Sequence, residues 1–157
     1  LFSLGVEKIS LNSSVFDNYE LIKKLSDIYG SQSIIISVDI CTDNQGYKKL
    51  YNWTKKNFLN IDINDHIYKC IENGAGEILI NDVSKEGTLE GFDFKVLNLL
   101  NENIKVPVIV NGGINSYKQI KEILKYENID AVGVGALFIY YGPYNAVLIS
   151  YMPENEI

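Results

Sequence analysis

The sequence is poor in the residues that nucleophilic, redox and metal chemistry use most. It has one histidine and two cysteines in 157 residues. Cys41 and Cys70 fall in no Cys-x-x-Cys or Cys/His ligand spacing, so no zinc site is expected and no metal or other cofactor is called for. His66 sits in a stretch of helical period, far in sequence from any partner acid or nucleophile, and reads as a packing or surface residue. Concentrated positive charge is also missing. The formal net charge is −6 and no Lys/Arg cluster interrupts it, which argues against a nucleic-acid groove or an anionic-membrane face. Long apolar runs are absent too: "SIIISV" and "KVPVIV" are too short to span a bilayer, and no signal-peptide pattern opens the chain. A cytoplasmic chain with reduced thiols is the expectation. It begins with Leu1 rather than Met, in "LFSLGVEKISL", which reads as a helix end entering a strand. We therefore expect that an upstream portion belongs before it.

What is present is apolar and regular. Hydrophobic residues make up 46% of the chain, enough for one domain over 1–157 with a buried core. β-Branched apolar runs alternate with segments of helical period, the pattern of successive βα units on a parallel sheet. The runs predict strands at about 7–12, 33–39, 77–81, 106–111 and 131–135, and helices at about 18–28, 63–73, 92–101 and 117–126. Asp17 or Asn18, Asp62, Gly91 and Ser116 stand at N-cap positions, and Gly30 and Gly74 close two helices. The Asn-, Lys- and Tyr-rich stretch 41–60 reads as an expanded loop with a hairpin at "DNQGYKKLY". Each strand is nearly continuous apolar, as when both sheet faces are covered. All five predicted strands end in polar or small residues: Asn12-Ser13-Ser14, Asp39, Asn81-Asp82, Asn111-Gly112-Gly113 and Gly135. A doubly wound sheet would gather such residues at one crevice, whereas a barrel places them around a rim. A (β/α) barrel is the favoured fold class.

Several residues could carry chemistry there. "VIVNGGINS" and "AVGVGALF" put glycine at adjacent strand ends, where backbone N–H groups can meet a phosphate; turn chemistry alone would want glycine too. Neither is a dinucleotide fingerprint: "GVGALF" lacks the third glycine, and "GAG" at 74–76 precedes its strand rather than following it. Asp39 falls on one strand face with Ile35 and Ser37. If that face lines the barrel, its carboxylate is at the mouth as a general acid or base; otherwise it caps a loop. Lys8 and Glu77 open two strands at the opposite end, either as a pair or as two solvated charges. The basic stretch Trp53 to Lys56 reads as solvated loop, and Tyr140, Tyr141 and Tyr144 as packing of a last strand against a helix.

Taken in order, "GVEKISLNSSVFDNYELI", "GSQSIIISVD", "GAGEILIN", "EGTLEGFD", "PVIVNGG" and "DAVGVGALF" resemble the cyclase subunit of imidazole glycerol phosphate synthase. The similarity covers nearly the whole chain, and six ordered blocks are far more specific than any one of them. The resemblance implies a (β/α)8 TIM barrel of which this chain supplies about strands 4 to 8. It also implies a glutaminase partner that delivers ammonia, and a nucleotide substrate with two phosphates that is closed to imidazole glycerol phosphate and aminoimidazole carboxamide ribotide. By position, Asp39 matches one of two catalytic aspartates, the other lying on the first strand. Glu86 matches an auxiliary carboxylate. Asn12 and Ser13 match the loop for one phosphate; Gly87 with Thr88, Asn111-Gly112-Gly113 and Gly135-Ala136 match those for the other. Lys8 and Glu77 match members of the charged ring through which ammonia enters.

The family's Asp-Arg-Asp-Gly-Thr reads Ser84-Lys85-Glu86-Gly87-Thr88 here, and serines usual on strands seven and eight are Asn111 and Ala136. The tail "FIYYGPYNAVLISYMP" resembles a branch tied to surface-polysaccharide synthesis, in which ammonia amidates a sugar. A non-catalytic scaffold that keeps the docking face is a third reading. Residues 1–157 alone are expected to lack turnover for want of the strand-one aspartate, and to self-associate through an unpaired sheet edge.

Overall fold

The computed structural model describes residues 2–147. In chain order it runs β1 (Ile9–Leu11), α1 (Ser14–Asp17), α2 (Glu20–Tyr29), β2 (Ile34–Thr42), β3 (Lys48–Asn52), β4 (Asn57–Phe58), α3 (Ile63–Glu72), β5 (Glu77–Asp82), β6 (Val108–Asn111), α4 (Tyr117–Ile123), β7 (Ala131–Gly133), α5 (Ala136–Ile139) and a hairpin of β8 (Tyr140–Tyr141) and β9 (Ala146–Val147). All five strands expected from the apolar runs are there, and they pair in parallel in the order β1-β2-β5-β6-β7. A doubly wound sheet reverses its order at a switch point; this one never does. The sheet is an arc of a (β/α) barrel, and among the described residues β1 and β7 do not meet to close it.

Burial along the strands shows how the sequence positions the rim. On β2, Ile34, Ile36, Val38 and Ile40 are at most 1% exposed, as are Ile78, Ile80, Val108 and Val110 on the neighbouring strands. Their period of two puts them on one face, in one core with Ile22, Ile67, Cys70, Ile120 and Ile123 from the helices. Burying each such side chain stabilises the fold by about 1.5–3 kcal/mol. The alternate residues Ile35, Ser37, Leu79 and Ile109 are only half-buried. The nearly continuous apolar runs therefore do not mean equal cover: the helical face is sealed and the inner face is partly open.

The capping residues divide. Asp62 accepts from the backbone N–H groups of Asn64 and Asp65, and Ser116 from that of Gln119, each cap contributing about 1 kcal/mol. Gly30 and Gly74 follow α2 and α3 with φ of 83° and 100°. Asp17, by contrast, is drawn into an ion pair with Lys55, and α2 starts at Tyr19 without a side-chain cap. Gly91 is likewise occupied elsewhere, its N–H donating to the Gly113 carbonyl at 2.7 Å. Asp93 caps in its place, and the helix expected at 92–101 is a short 3-10 helix, Phe94–Leu99.

The stretch read as an expanded loop is more ordered than its composition suggests. Its hairpin is real: Thr42 pairs with Lys48 antiparallel, and the Asp43 carboxylate accepts from the N–H groups of Gln45 and Tyr47 to hold the turn. β4 then adds to β3, giving a three-stranded antiparallel flap at the C-terminal end of β2. Tyr140, Tyr141 and Tyr144 do not pack as expected. They are 43%, 69% and 94% exposed, because β8 and β9 pair only with each other. The end of the tail block, residues 148–153, lies outside the described residues. Among the described residues no helix is long and apolar enough to cross a membrane.

Candidate active site

Register builds the site. Asp39 pairs with Asn81, Asn81 with Asn111, and Asn111 with Gly133, so four strands bring one row of residues to the C-terminal rim. Side chains in such a row face the same way. The Asn111 amide donates to Asn81 Oδ1 at 3.0 Å; the Asn81 amide donates to Asp39 Oδ1 at 3.3 Å and to Glu86 Oε2 at 3.2 Å. One carboxamide thus bridges two carboxylates from two segments. Asp39 is 6% exposed. Burial holds its carboxyl above the usual range; hydrogen bonds from Asn12 and Asn81 pull it back, and the Glu86 charge pushes it up again. A carboxyl raised in this way keeps its proton to higher pH than a free one, as a general acid or base can use. Asp39 lies on the same strand face as Ser37 and lines the cleft at the C-terminal rim.

Two hollows flank the row. A cleft of about 440 Å³ is lined by Asn12, Ser37, Asp39, Trp53, Asn81, Val83 and Glu86. Beyond Asn111 a second, of about 220 Å³, is walled by Glu86, Gly87, Asn111, Gly113, Gly135 and Ala136 among others. Gly113 and Gly87 have φ of 76° and 73°, a region other residues rarely adopt. A side chain on Gly87 or Gly135 would meet nothing within 4 Å, so the backbone there is open to close approach. The remaining candidates serve the loops. Gly112 has no room for a Cβ, which would stand 2.8 Å from the Asp82 carbonyl. Thr88 Oγ1 donates to the Lys85 carbonyl and accepts from Glu90 N–H. Ser13 donates to Asn12 Oδ1 at 3.0 Å.

At the opposite end of the sheet Lys8 and Glu77 form an ion pair, the lysine half-exposed and the glutamate nearly buried. Pairing, not separate solvation, is how the fold accommodates them. His66 is fully buried, its Nδ1 2.7 Å from Tyr19 Oη and its Nε2 3.7 Å from Cys70 Sγ. Burial lowers its pKa to about 4 and raises that of Cys70 to about 12, so both are neutral packing groups. Asn81 escapes the sequence reading as a site residue, although it stood among the polar strand ends. The buried Lys48–Asp82 pair, with Asp93 3.5 Å from the same ammonium, escapes it too. Only the β2–β3 hairpin register, invisible in composition, aims Lys48 at β5.

An arc of parallel β/α strands with carboxylates, amides and glycines at its C-terminal rim defines a protein of the (β/α) barrel class. The family model described as "Histidine biosynthesis protein" matches residues 1–145. The chain belongs to that family, whose members are TIM barrels. It is 32% identical over its whole length to "Putative imidazole glycerol phosphate synthase subunit hisF2" of Pseudomonas aeruginosa, covering 62% of that protein. It is 35% identical over 99% of its length to "Putative imidazole glycerol phosphate synthase subunit HisF" of Leptospira interrogans, covering 61%. Against "Imidazole glycerol phosphate synthase subunit HisF" of Lactococcus lactis subsp. cremoris it is 32% identical over 89% of the chain and 54% of the relative. The chain thus spans about three-fifths of the length of the first two of these curated relatives.

Proposed function

We propose that this chain is the catalytic rim of a cyclase subunit of imidazole glycerol phosphate synthase. Ammonia from a glutaminase partner enters past Lys8 and Glu77, and ring closure takes place over Asp39. The observation that carries this reading is the Asp39–Asn81–Glu86 arrangement. It sets a carboxyl of raised pKa beside a second carboxylate, as proton transfers during ring closure require. Asn12 and Ser13 hold one phosphate of the nucleotide, and the backbone about Gly87, Gly113 and Gly135-Ala136 holds the other. Thr88, Asn111 and Gly112 keep those loops in shape. Donors fixed in the backbone can neutralise a phosphate without lysines.

A second reading is favoured by particular residues. Ser84, Glu86, Asn111 and Ala136 depart from the cyclase pattern, as a subunit that passes ammonia to a sugar amidation would tolerate. Feeding glutamine and the phosphoribulosyl aminoimidazole nucleotide to the glutaminase complex of the chain completed by strands one to three separates the two. The cyclase reading predicts aminoimidazole carboxamide ribotide and imidazole glycerol phosphate in equal amounts. Glutaminase stimulation with neither product would favour ammonia delivery to another acceptor.

A further inference from the structure

The cleft over Asp39 has an unusual wall. Its polar lining is two carboxylates, Asp39 and Glu86, with the amides of Asn12 and Asn81 and the Ser37 hydroxyl; among the described residues no lysine or arginine contributes, and the one aromatic is Trp53. Trp53 is the chain's single tryptophan and is 60% exposed. It is nonetheless mounted firmly. The preceding Asn52 is 1% exposed and accepts from Lys55 N–H at 2.9 Å. The Tyr51 ring meets the indole edge-on at 5.9 Å, and Lys48 anchors the same strand to Asp82 on β5.

These features select a ligand. Two carboxylates with no cation in the lining repel a phosphate from their own oxygens, so the group that meets Asp39 and Glu86 must bring hydrogen-bond donors. A large exposed indole at the start of the turn that joins β3 to β4 offers a flat apolar face to a flat partner. We propose that Trp53 is a specificity-determining residue of the Asp39 site. It stacks on a planar heterocycle rich in N–H groups while Asp39 and Glu86 accept from the edge of that ring. The proposal deepens the function proposed above and rests on its placing the reaction in this cleft. The flap of β3 and β4 is then the wall that holds the ring, with one phosphate at the Asn12 and Ser13 edge of the cleft and the other in the glycine-lined hollow.

The test uses the chain with two probes, aminoimidazole carboxamide ribonucleotide and ribose 5-phosphate, followed by tryptophan emission and calorimetry. The ring-bearing probe should quench Trp53. Trp53→Leu, which keeps apolar bulk without a π face, should weaken that probe about tenfold or more, and Trp53→Phe should restore affinity to within about threefold. Both variants should bind ribose 5-phosphate as the parent does, which also shows that they are folded. Unchanged emission, or an equal loss for both probes, would overturn the stacking role. The two proposals fail separately. Quenching, with no turnover in the assembly completed by strands one to three, sinks the cyclase reading and leaves the stacking wall; turnover in that assembly with ring affinity unaltered in Trp53→Leu does the reverse.

Discussion

At the residue scale, the buried Asp39 carboxyl carries a stability cost. Its carboxyl is raised, so between its ordinary value and its folded value the native state binds more protons than the unfolded chain, and stability falls as pH rises through that window. Asp39→Asn should therefore raise the melting temperature at pH 7 while leaving it nearly unchanged below the ordinary carboxylate pKa. His66 runs the other way. Its folded pKa of about 4 lies below the usual 6.5, so stability is full above pH 6.5 and is lost as pH falls towards 4, by roughly 3 kcal/mol. The urea midpoint of the parent should drop across that range, and His66→Gln should lose much of the drop. Period-two alternation sufficed to place Asp39 on its face with Ser37. Its partner Asn81 was out of reach, because cross-strand register depends on the lengths of the intervening helices and no local pattern encodes it.

At the element scale, the flap of β3 and β4 is what sequence reading understates. Polar composition suggested loop, yet antiparallel pairing to the end of β2 orders the segment and one buried ion pair fixes it to β5. Lys48 and Asp82 side chains are 6% and 0% exposed, so removing one partner strands a charge. Lys48→Met should cost about 3–5 kcal/mol in urea unfolding, and adding Asp82→Asn should recover most of it. Costs that merely add would show that the two side chains are not coupled. The parallel strands themselves were legible to within a few residues, since each is a β-branched run between capped helices. Helix 92–101 was not, because Gly91 is claimed by a tertiary bond to Gly113 that only the folded loop reveals.

At the scale of the whole molecule, a barrel arc exposes what a closed barrel hides. Among the described residues β7 pairs only with β6, leaving N–H and C=O groups of its outer edge to recruit another strand. Light scattering should show concentration-dependent association of the chain. Mixing with the N-terminal half-barrel of a relative should reduce it. The sequential strand order explains why barrel class could be read from repeated βα units, while the open inner face could not be read from strands so uniformly apolar.

The central claim is that Asp39, set in its row with Asn81 and Glu86, moves protons for ring closure. The most direct measurement is the ring-closure rate with ammonium and the phosphoribulosyl aminoimidazole nucleotide, using the chain completed by the half-barrel that carries strands one to three. The parent assembly should turn over, and Asp39→Asn should fall by about a hundred- to ten-thousandfold with its circular dichroism unchanged. A variant that keeps its rate within about threefold, or a completed parent with no turnover, would contradict the account.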